Sequence, residues 1–313
     1  MSRPTVSINL CCYNSERFLR DTLESIQRQT YRDWELVIVN DGSTDSTDSI
    51  IQDYFHRGMP IIYHVQENQG LPMSRNTALQ LSHGEFIALI DHDDLWEKDK
   101  LERQLPLFKN PSVAIVYSNA TVRSGSKERL YLPSRCLYRG SCFGYLLRRD
   151  FMALPTVVLR HSAVRKLDYM FEPDYHVVED HDLLLRLAYQ WEVDYIDAPL
   201  ATWRISSQGS SWRNRERFSN EHAAMLLKYR ESFSDLDRVY GEDIKYLEST
   251  IAYERALVEW ARENQSAVRK LIFPHLLRDK RLIVSYLFSF FPFYVYLNFL
   301  RLLGRYPAED VHE

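Results

Sequence analysis

Residues Phe86–Trp96 read FIALIDHDDLW, an apolar run of strand length that ends in Asp91, His92, Asp93 and Asp94. A short unbroken apolar run closed by polar residues is the pattern of a strand buried on both faces, as in the parallel sheet of an α/β protein. Carboxylates this close repel one another unless solvent or a cation neutralises them, so the end of the run is either a wet turn or a site. The surrounding sequence has to separate the two.

Toward the N-terminus the chain alternates strand-like runs with helical periodicity: VSINLCC, a helix through FLRDTLESIQRQ, ELVIVN, a helix through DSIIQDYF, and PIIYHV. A further helix through LPMSRNTALQLS, with Pro72 early where its missing N–H costs little, leads into FIALI as a fourth buried strand. This βαβ alternation predicts an α/β fold. In open α/β sheets ligands bind outside the carboxyl ends of the strands. Here those ends carry CYN (12–14), NDGSTD (40–45) and DHDD (91–94), so the clusters are expected to converge on one edge.

Toward the C-terminus a helix through KLERQLPLF and a strand through VAIVYS precede an irregular, Arg-rich stretch, 121–150, read as a lid. TVVLR reads as a strand, EDHDLLLRLAYQ as an amphipathic helix, and VDYI and ATWRI as two further strands before the polar run SSQGSSWRNR. From about residue 216 strand signals vanish and helical patterns dominate, including a long candidate from Gly241 to Asn264. The expected organisation is an α/β domain over 1–215, followed by a helical extension over 216–313.

The chain has 313 residues, 45% hydrophobic and 26% charged, which excludes a disordered or fibrous protein. With 39 Lys and Arg against 43 Asp and Glu the net charge is −4, so there is no general attraction for nucleic acid. None of Cys11, Cys12, Cys136 and Cys142 forms a CxxC pair, and buried thiols in a reducing cytoplasm are expected. The N-terminal MSRPTVSINLCCYN shows no long apolar core of a signal peptide, and a cytoplasmic location is expected.

A transferase that expels a nucleoside diphosphate at neutral pH must neutralise the charge that develops on it, and oxygen ligands at a rigid strand end suit Mg²⁺ or Mn²⁺. In DHDD, Asp93 is the leading metal candidate, and Asp91 is placed at the metal, a metal-bound water or the ribose. A lone DxD is more often a solvated turn capping the next helix. The neighbourhood changes that balance. SINLCCYNSERFLRDTLESIQRQTYRDWELVIVNDGSTDST, NQGLPMSRNTAL, GEFIALIDHDDLWEKDKLERQ, and VEDHDLLLRLA followed by WRISSQGSS, in this order and spacing, resemble the inverting glycosyltransferase family 2 over roughly residues 5–215.

That resemblance implies that 1–215 is a catalytic domain with a nucleotide-binding half (about 1–95) and an acceptor half (about 96–215), built on a GT-A-like mixed, mostly parallel sheet flanked by helices. It places Tyr13 and Asp41 at the base and ribose of a nucleotide, with Asp45 and Arg75 as further contacts. Physical chemistry accords with it. An aromatic face stacks on uracil, a carboxylate accepts from the ring N–H, and Arg75 offers a planar fork to phosphate. Each residue also has an ordinary reading: a core tyrosine, a turn and helix cap over Asp41–Thr47, a surface ion pair. Inverting transfer needs one carboxylate to deprotonate the acceptor hydroxyl as it attacks the anomeric carbon. The resemblance assigns that role to Asp180, with Glu179 as fallback; the competing reading is compensation of a helix dipole. Arg204 matches the family's aromatic–Arg stretch and is expected to close over the phosphates. Ser206 stands where many relatives carry histidine, and His92 and His181 are read as bystanders.

Residues 265–306 carry Arg269, Lys270, Arg278, Lys280, Arg281, Arg301 and Arg305 against a single acid, Asp279, and Leu282–Leu300 contains no charged residue. Pro292 and the interspersed polar residues suit a lone transmembrane helix poorly, and a basic, aromatic segment lying peripherally on an anionic membrane at the inner face of the cell membrane fits better. A helical core or oligomer contact is the competing reading of this segment. The expected activity is metal-dependent, inverting transfer of a sugar from a nucleotide-sugar donor, UDP-linked, to a hydroxyl of a glycan or lipid-linked glycan in cell-surface polysaccharide or glycoconjugate synthesis. The alternatives are a catalytically silent nucleotide-binding scaffold with an interaction tail, and a nucleotidyltransferase, which the absence of a Gly-rich loop in CCYNSERF disfavours.

Overall fold

A computed structural model describes residues 4–205 and 214–302. Chain contacts divide it into two compact units, one over 1–146 with 150–205 and one over 147–149 with 206–313.

In the first unit the strands β1 (Val6–Cys12), β2 (Trp34–Asn40), β3 (Ile61–Val65) and β4 (Phe86–Asp91) alternate with the helices α1 (Leu19–Gln27), α2 (Thr47–His56) and α3 (Leu71–Leu81). All seven residues of β1 are buried, which is why its sequence is apolar without alternation. β2 and β4 flank β1 in parallel, and β3 pairs with β2 in parallel. Beyond β4 the sheet becomes mixed, with β5 (Leu95–Trp96), β6 (Val113–Ser124), β7 (Lys127–Leu130), β8 (Val158–Arg160) and β9 (Glu192–Arg204) in the order β3-β2-β1-β4-β8-β6-β9-β5, and β7 added on β6. β8 runs antiparallel to β4 and β6, while β9 follows β6 in parallel, so parallel ladders carry most of the pairing. The short helices α4 (Lys100–Gln104), α5 (Phe143–Arg148) and α6 (His161–Val164) and the longer α7 (Glu179–Gln190) complete this part of the chain.

Three local expectations differ from the structure. VDYI and ATWRI lie on one continuous strand, β9; the interruption read at Asp197–Pro199 is a register irregularity where Pro199, which has no N–H to donate, sits opposite Asn119. Residues 121–150 are not irregular throughout: β6 extends to Ser124 and turns at Gly125 (φ 57°) into β7, and α5 follows. Among the thiols, Cys11, Cys12 and Cys142 are buried but Cys136 is only half-buried.

The second unit is helical among its described residues: α8 (Arg215–Ser232), α9 (Leu236–Ala261), α10 (Gln265–Ile272), α11 (Lys280–Phe288) and α12 (Phe293–Leu302). α9 starts five residues before Gly241 and bends at Tyr240, whose φ of −113° is non-helical. Its core joins Tyr253, Leu257 and Trp260 to Val268, Ile272, Leu282 and Tyr296. Trp260 stacks on Tyr296 with centroids 4.7 Å apart, and the buried Tyr296 hydroxyl is satisfied by Tyr253 and Ser285, each at 3.0 Å. Asp279 caps α11 by accepting from the Arg281 N–H at 2.8 Å. No helix of the described residues is long and apolar enough to cross a membrane.

Candidate active site

The parallel register brings the polar strand ends together. Cys12 lies opposite Asn40 and Cys11 opposite Asp91, so the chain leaves β1, β2 and β4 side by side at Tyr13, Asp41 and His92. The loops after β1 and β2 are stitched to each other. Asn14 (φ 48°) donates its N–H to the Ser43 hydroxyl at 3.0 Å and accepts from the Thr44 N–H at 2.9 Å, and the Ser15 N–H reaches the Thr47 hydroxyl at 2.7 Å. The Tyr13 ring, 50% exposed, stands beside this rigid crossing.

Two carboxylates expected at the nucleotide have other partners. Asp41 is buried, and its oxygens accept from Gln66 Nε2 at 2.8 Å and from the Gln69 and Gly70 N–H groups at 2.9 Å each. It shapes the loop that starts α3, where Gly70 takes φ 87°, a conformation open to glycine at no steric cost. Asp45 accepts from the Glu16 and Thr47 N–H groups at 3.0 Å each. Burial pushes its carboxyl up, but these hydrogen bonds prevail and hold it below the usual range.

Arg75 is where the structure departs furthest from expectation. Its fork is not open: NH2 donates to Asp91 at 2.9 Å and NH1 to Glu179 at 2.7 Å, with the arginine side chain 6% exposed and that of Glu179 5% exposed. α3 thereby ties the end of β4 to the first turn of α7. Asn76, the next residue, clamps the backbone of Phe171 through both amide atoms at 2.8 Å, and the Phe171 ring lies under the Arg75 guanidinium at 5.5 Å. Glu179 Oε2 is buried without a hydrogen-bond partner. Burial raises the Glu179 carboxyl to about 7, Arg75 opposing and Asp180 adding to the rise. Asp180 is only half-buried, with one carboxylate oxygen accepting its neighbour's N–H, that of His181, at 2.7 Å. The ring of His181 is turned away and meets the Leu146 carbonyl at 3.0 Å.

The DHDD turn is held from beneath. The Thr22 hydroxyl of α1 lies 2.8 Å from the carbonyl oxygens of both His92 and Asp94. Asp94 is buried and accepts the Arg204 N–H at 2.9 Å, and burial raises its carboxyl well above the usual range. The Arg204 guanidinium, expected over phosphates, bonds the Asp93 carbonyl and Asp21 Oδ2 (2.9 Å) and stacks on Phe18 at 4.8 Å. The position of Ser206 lies outside the described residues. Asp93 alone keeps its carboxylate clear of side-chain hydrogen bonds to other described residues, and burial, with Asp91 nearby, raises it above the ordinary range against the pull of His92. Among the described residues no group of three or more His, Cys, Asp or Glu could hold a metal unaided. Mg²⁺ and Mn²⁺ sites shared with a phosphate use one or two carboxylates plus the substrate, so the Asp93 carboxylate suits a shared site. Thr22 and Asn76 carry no signal in the sequence, and Asp94, though part of the acidic cluster, carries none of its own role; only the tertiary fold gives these helix and turn residues their partners.

The mixed, mostly parallel sheet with flanking helices is that of the GT-A class of glycosyltransferases. The model of glycosyl transferase family 2 matches residues 7–168, and the chain belongs to that family. TuaG of Bacillus subtilis (strain 168), a glycosyltransferase assigned to teichuronic acid biosynthesis, is 37% identical over 118 residues, 37% of this chain and 46% of TuaG, so this chain spans about half of that relative. WfgD of Escherichia coli, a UDP-Glc:α-D-GlcNAc-diphosphoundecaprenol β-1,3-glucosyltransferase, is 27% identical over 176 residues, 55% of this chain and 67% of WfgD. The mannosyltransferase PcManGT of Pyrobaculum calidifontis, solved with GDP-Man and Mn²⁺, superposes with a TM-score of 0.62 at 18% identity over 98% of this chain and 89% of that one, a likeness of fold.

Proposed function

We propose that the chain is an inverting glycosyltransferase that moves a sugar from a UDP-linked donor to a hydroxyl of a glycan or lipid-linked glycan in cell-surface polysaccharide synthesis. The observation that carries this reading is the Asp91–Arg75–Glu179 bridge, which fixes the end of β4, the donor side, against the turn that presents Asp180. Residues 1–95 supply the nucleotide half and 96–215 the acceptor half. Tyr13 offers a face for the base beside the stitched loops. Asp93, supported by Asp91, would hold Mn²⁺ or Mg²⁺, which when bound would supply positive charge to a leaving pyrophosphate. Asp180 takes the proton of the acceptor hydroxyl while the hydroxyl oxygen bonds to the anomeric carbon from the face opposite the breaking phosphate–sugar bond, and the nucleoside diphosphate leaves with that bond's electrons. Arg75, shared between carboxylates, acts by positioning. The lipid-linked acceptor and UDP donor are supported by the name of WfgD, the polysaccharide pathway by that of TuaG, and the metal by the Mn²⁺ of the PcManGT complex.

The test is a screen of nucleotide sugars for donor hydrolysis with Mn²⁺ and with EDTA, in wild type and Asp93→Asn. One donor is expected to be hydrolysed only with metal, and the variant to lose roughly 10²-fold, because an amide cannot replace the carboxylate charge. Metal-independent hydrolysis equal in both proteins removes the metal assignment. Nucleotide binding with neither hydrolysis nor transfer, for any donor, returns the chain to a silent scaffold.

A further inference from the structure

The transferase chemistry leaves one face of the helical unit unexplained. α11 and α12 have 9 and 10 residues and are separated by Ser289–Pro292. At 1.5 Å per residue each is roughly 15 Å long, half of a bilayer's hydrocarbon core, so neither spans one. Their inward positions Leu282, Ser285, Tyr296 and Leu297 are buried, but Leu287, Phe290, Phe291 and Tyr294, with Phe273 and Leu277 just before them, are exposed, Leu277 at 98%. Two of them are joined through Tyr286: the Phe273 ring lies 6.0 Å from Tyr286, Tyr286 lies 5.9 Å from Phe290, and Arg269 covers Phe290 at 4.7 Å.

The charge on this segment has one sign. Among residues 265–302 the exposed ionic side chains are Lys270, Arg278, Lys280 and Arg281, all basic, and the single acid, Asp279, is buried and engaged by Arg281. Earlier in the same unit both signs are interleaved, as in Arg230 with Asp237 and Glu248, or Arg262 with Glu216 and Glu259. Arg278 is paired with the exposed Glu242 of α9 at 3.0 Å and Arg281 with Asp279, which leaves Lys270 and Lys280 as cations with no ion pair among the described residues. An aromatic, aliphatic patch carrying two such lysines matches an interface of phosphate headgroups over acyl chains. A second copy would bring Lys270 and Lys280 again to the contact, and a like-charged pairing is disfavoured.

We propose that this face docks the protein peripherally on an anionic phospholipid surface, with Phe273, Leu277, Leu287 and Phe290 entering the headgroup level and Lys270 and Lys280 meeting lipid phosphates. The proposal rests on the lipid-linked acceptor reading above, because docking concentrates the enzyme where such an acceptor resides.

The experiment is flotation of the full chain with vesicles of phosphatidylcholine alone or mixed with phosphatidylglycerol, at low and high salt. The wild type is expected to float with the anionic vesicles only, less at high salt. Lys270→Gln with Lys280→Gln is expected to weaken partitioning roughly 25-fold, about fivefold per basic residue. Leu277→Ser with Phe290→Ser should weaken it with little effect on the circular dichroism spectrum, since both side chains are exposed. Absence of flotation, flotation unchanged by all four substitutions, retention through carbonate extraction, or a dimer in sedimentation that Phe290→Ser dissolves would each overturn the proposal. Donor hydrolysis in lipid-free buffer, expected unchanged in these variants, reports separately on the transferase reading.

Discussion

Asp180 and Glu179 are adjacent carboxylates with different surroundings. Glu179 is buried under Arg75, while Asp180 stays half-exposed at the start of α7, as the base proposed above requires. Asp180→Asn is therefore expected to retain fold and donor affinity and to lose about 10²–10⁴-fold in transfer rate, measured with donor and acceptor both saturating. Wild-type turnover by that variant reduces Asp180 to dipole compensation. Glu179 carries the pH signature. Its folded pKa, raised to about 7, exceeds the unfolded value, so its contribution to stability is complete below the ordinary glutamate range and is lost as pH rises through 7. In urea melts across that window Glu179→Gln should lose less stability than the wild type. Parallel curves would show that Arg75 holds Glu179 ionised throughout.

At the scale of elements, the loop before α3 depends on one side chain. Asp41 holds the Gln69 and Gly70 N–H groups and Gln66 at once, so Asp41→Ala removes the shared, buried acceptor of three part-buried donors. A loss of about 2–4 kcal/mol in unfolding free energy is expected, against about half that for Asp41→Asn, which keeps one acceptor oxygen. Chemical denaturation with a circular dichroism readout measures both. The elements themselves were largely legible: burial on both faces makes β1, β2 and β4 apolar throughout, and a continuous apolar run needs no partner to be recognised. β9 was split in the reading because Asp197 and Pro199 look like a break, whereas a sheet with an irregular register accommodates them. The α11–α12 break, by contrast, follows from Pro292 alone.

At the scale of the whole molecule, the second unit rests on Trp260, fully buried, stacked on Tyr296 and donating its indole N–H to the Phe291 carbonyl at 3.1 Å. Trp260→Ala is expected to cost that unit about 3–5 kcal/mol. Limited proteolysis should then cut within residues 214–302 first and leave a fragment that binds the donor nucleotide as the full chain does. A fragment that no longer binds would show that the helical unit sustains the nucleotide site. What the sequence determined by itself was the alternation of strands and helices, the strand ends that carry polar clusters, and the order of the family's motifs, because those depend on local periodicity and on residues close in the chain. Tertiary structure alone decided which carboxylate stays available. Asp41, Asp45, Asp91, Asp93 and Asp94 are chemically alike in sequence, but Arg75, Arg204 and the loop N–H groups that engage four of them arrive from up to 110 residues away, and a partner brought by folding leaves no local trace in the residue it binds.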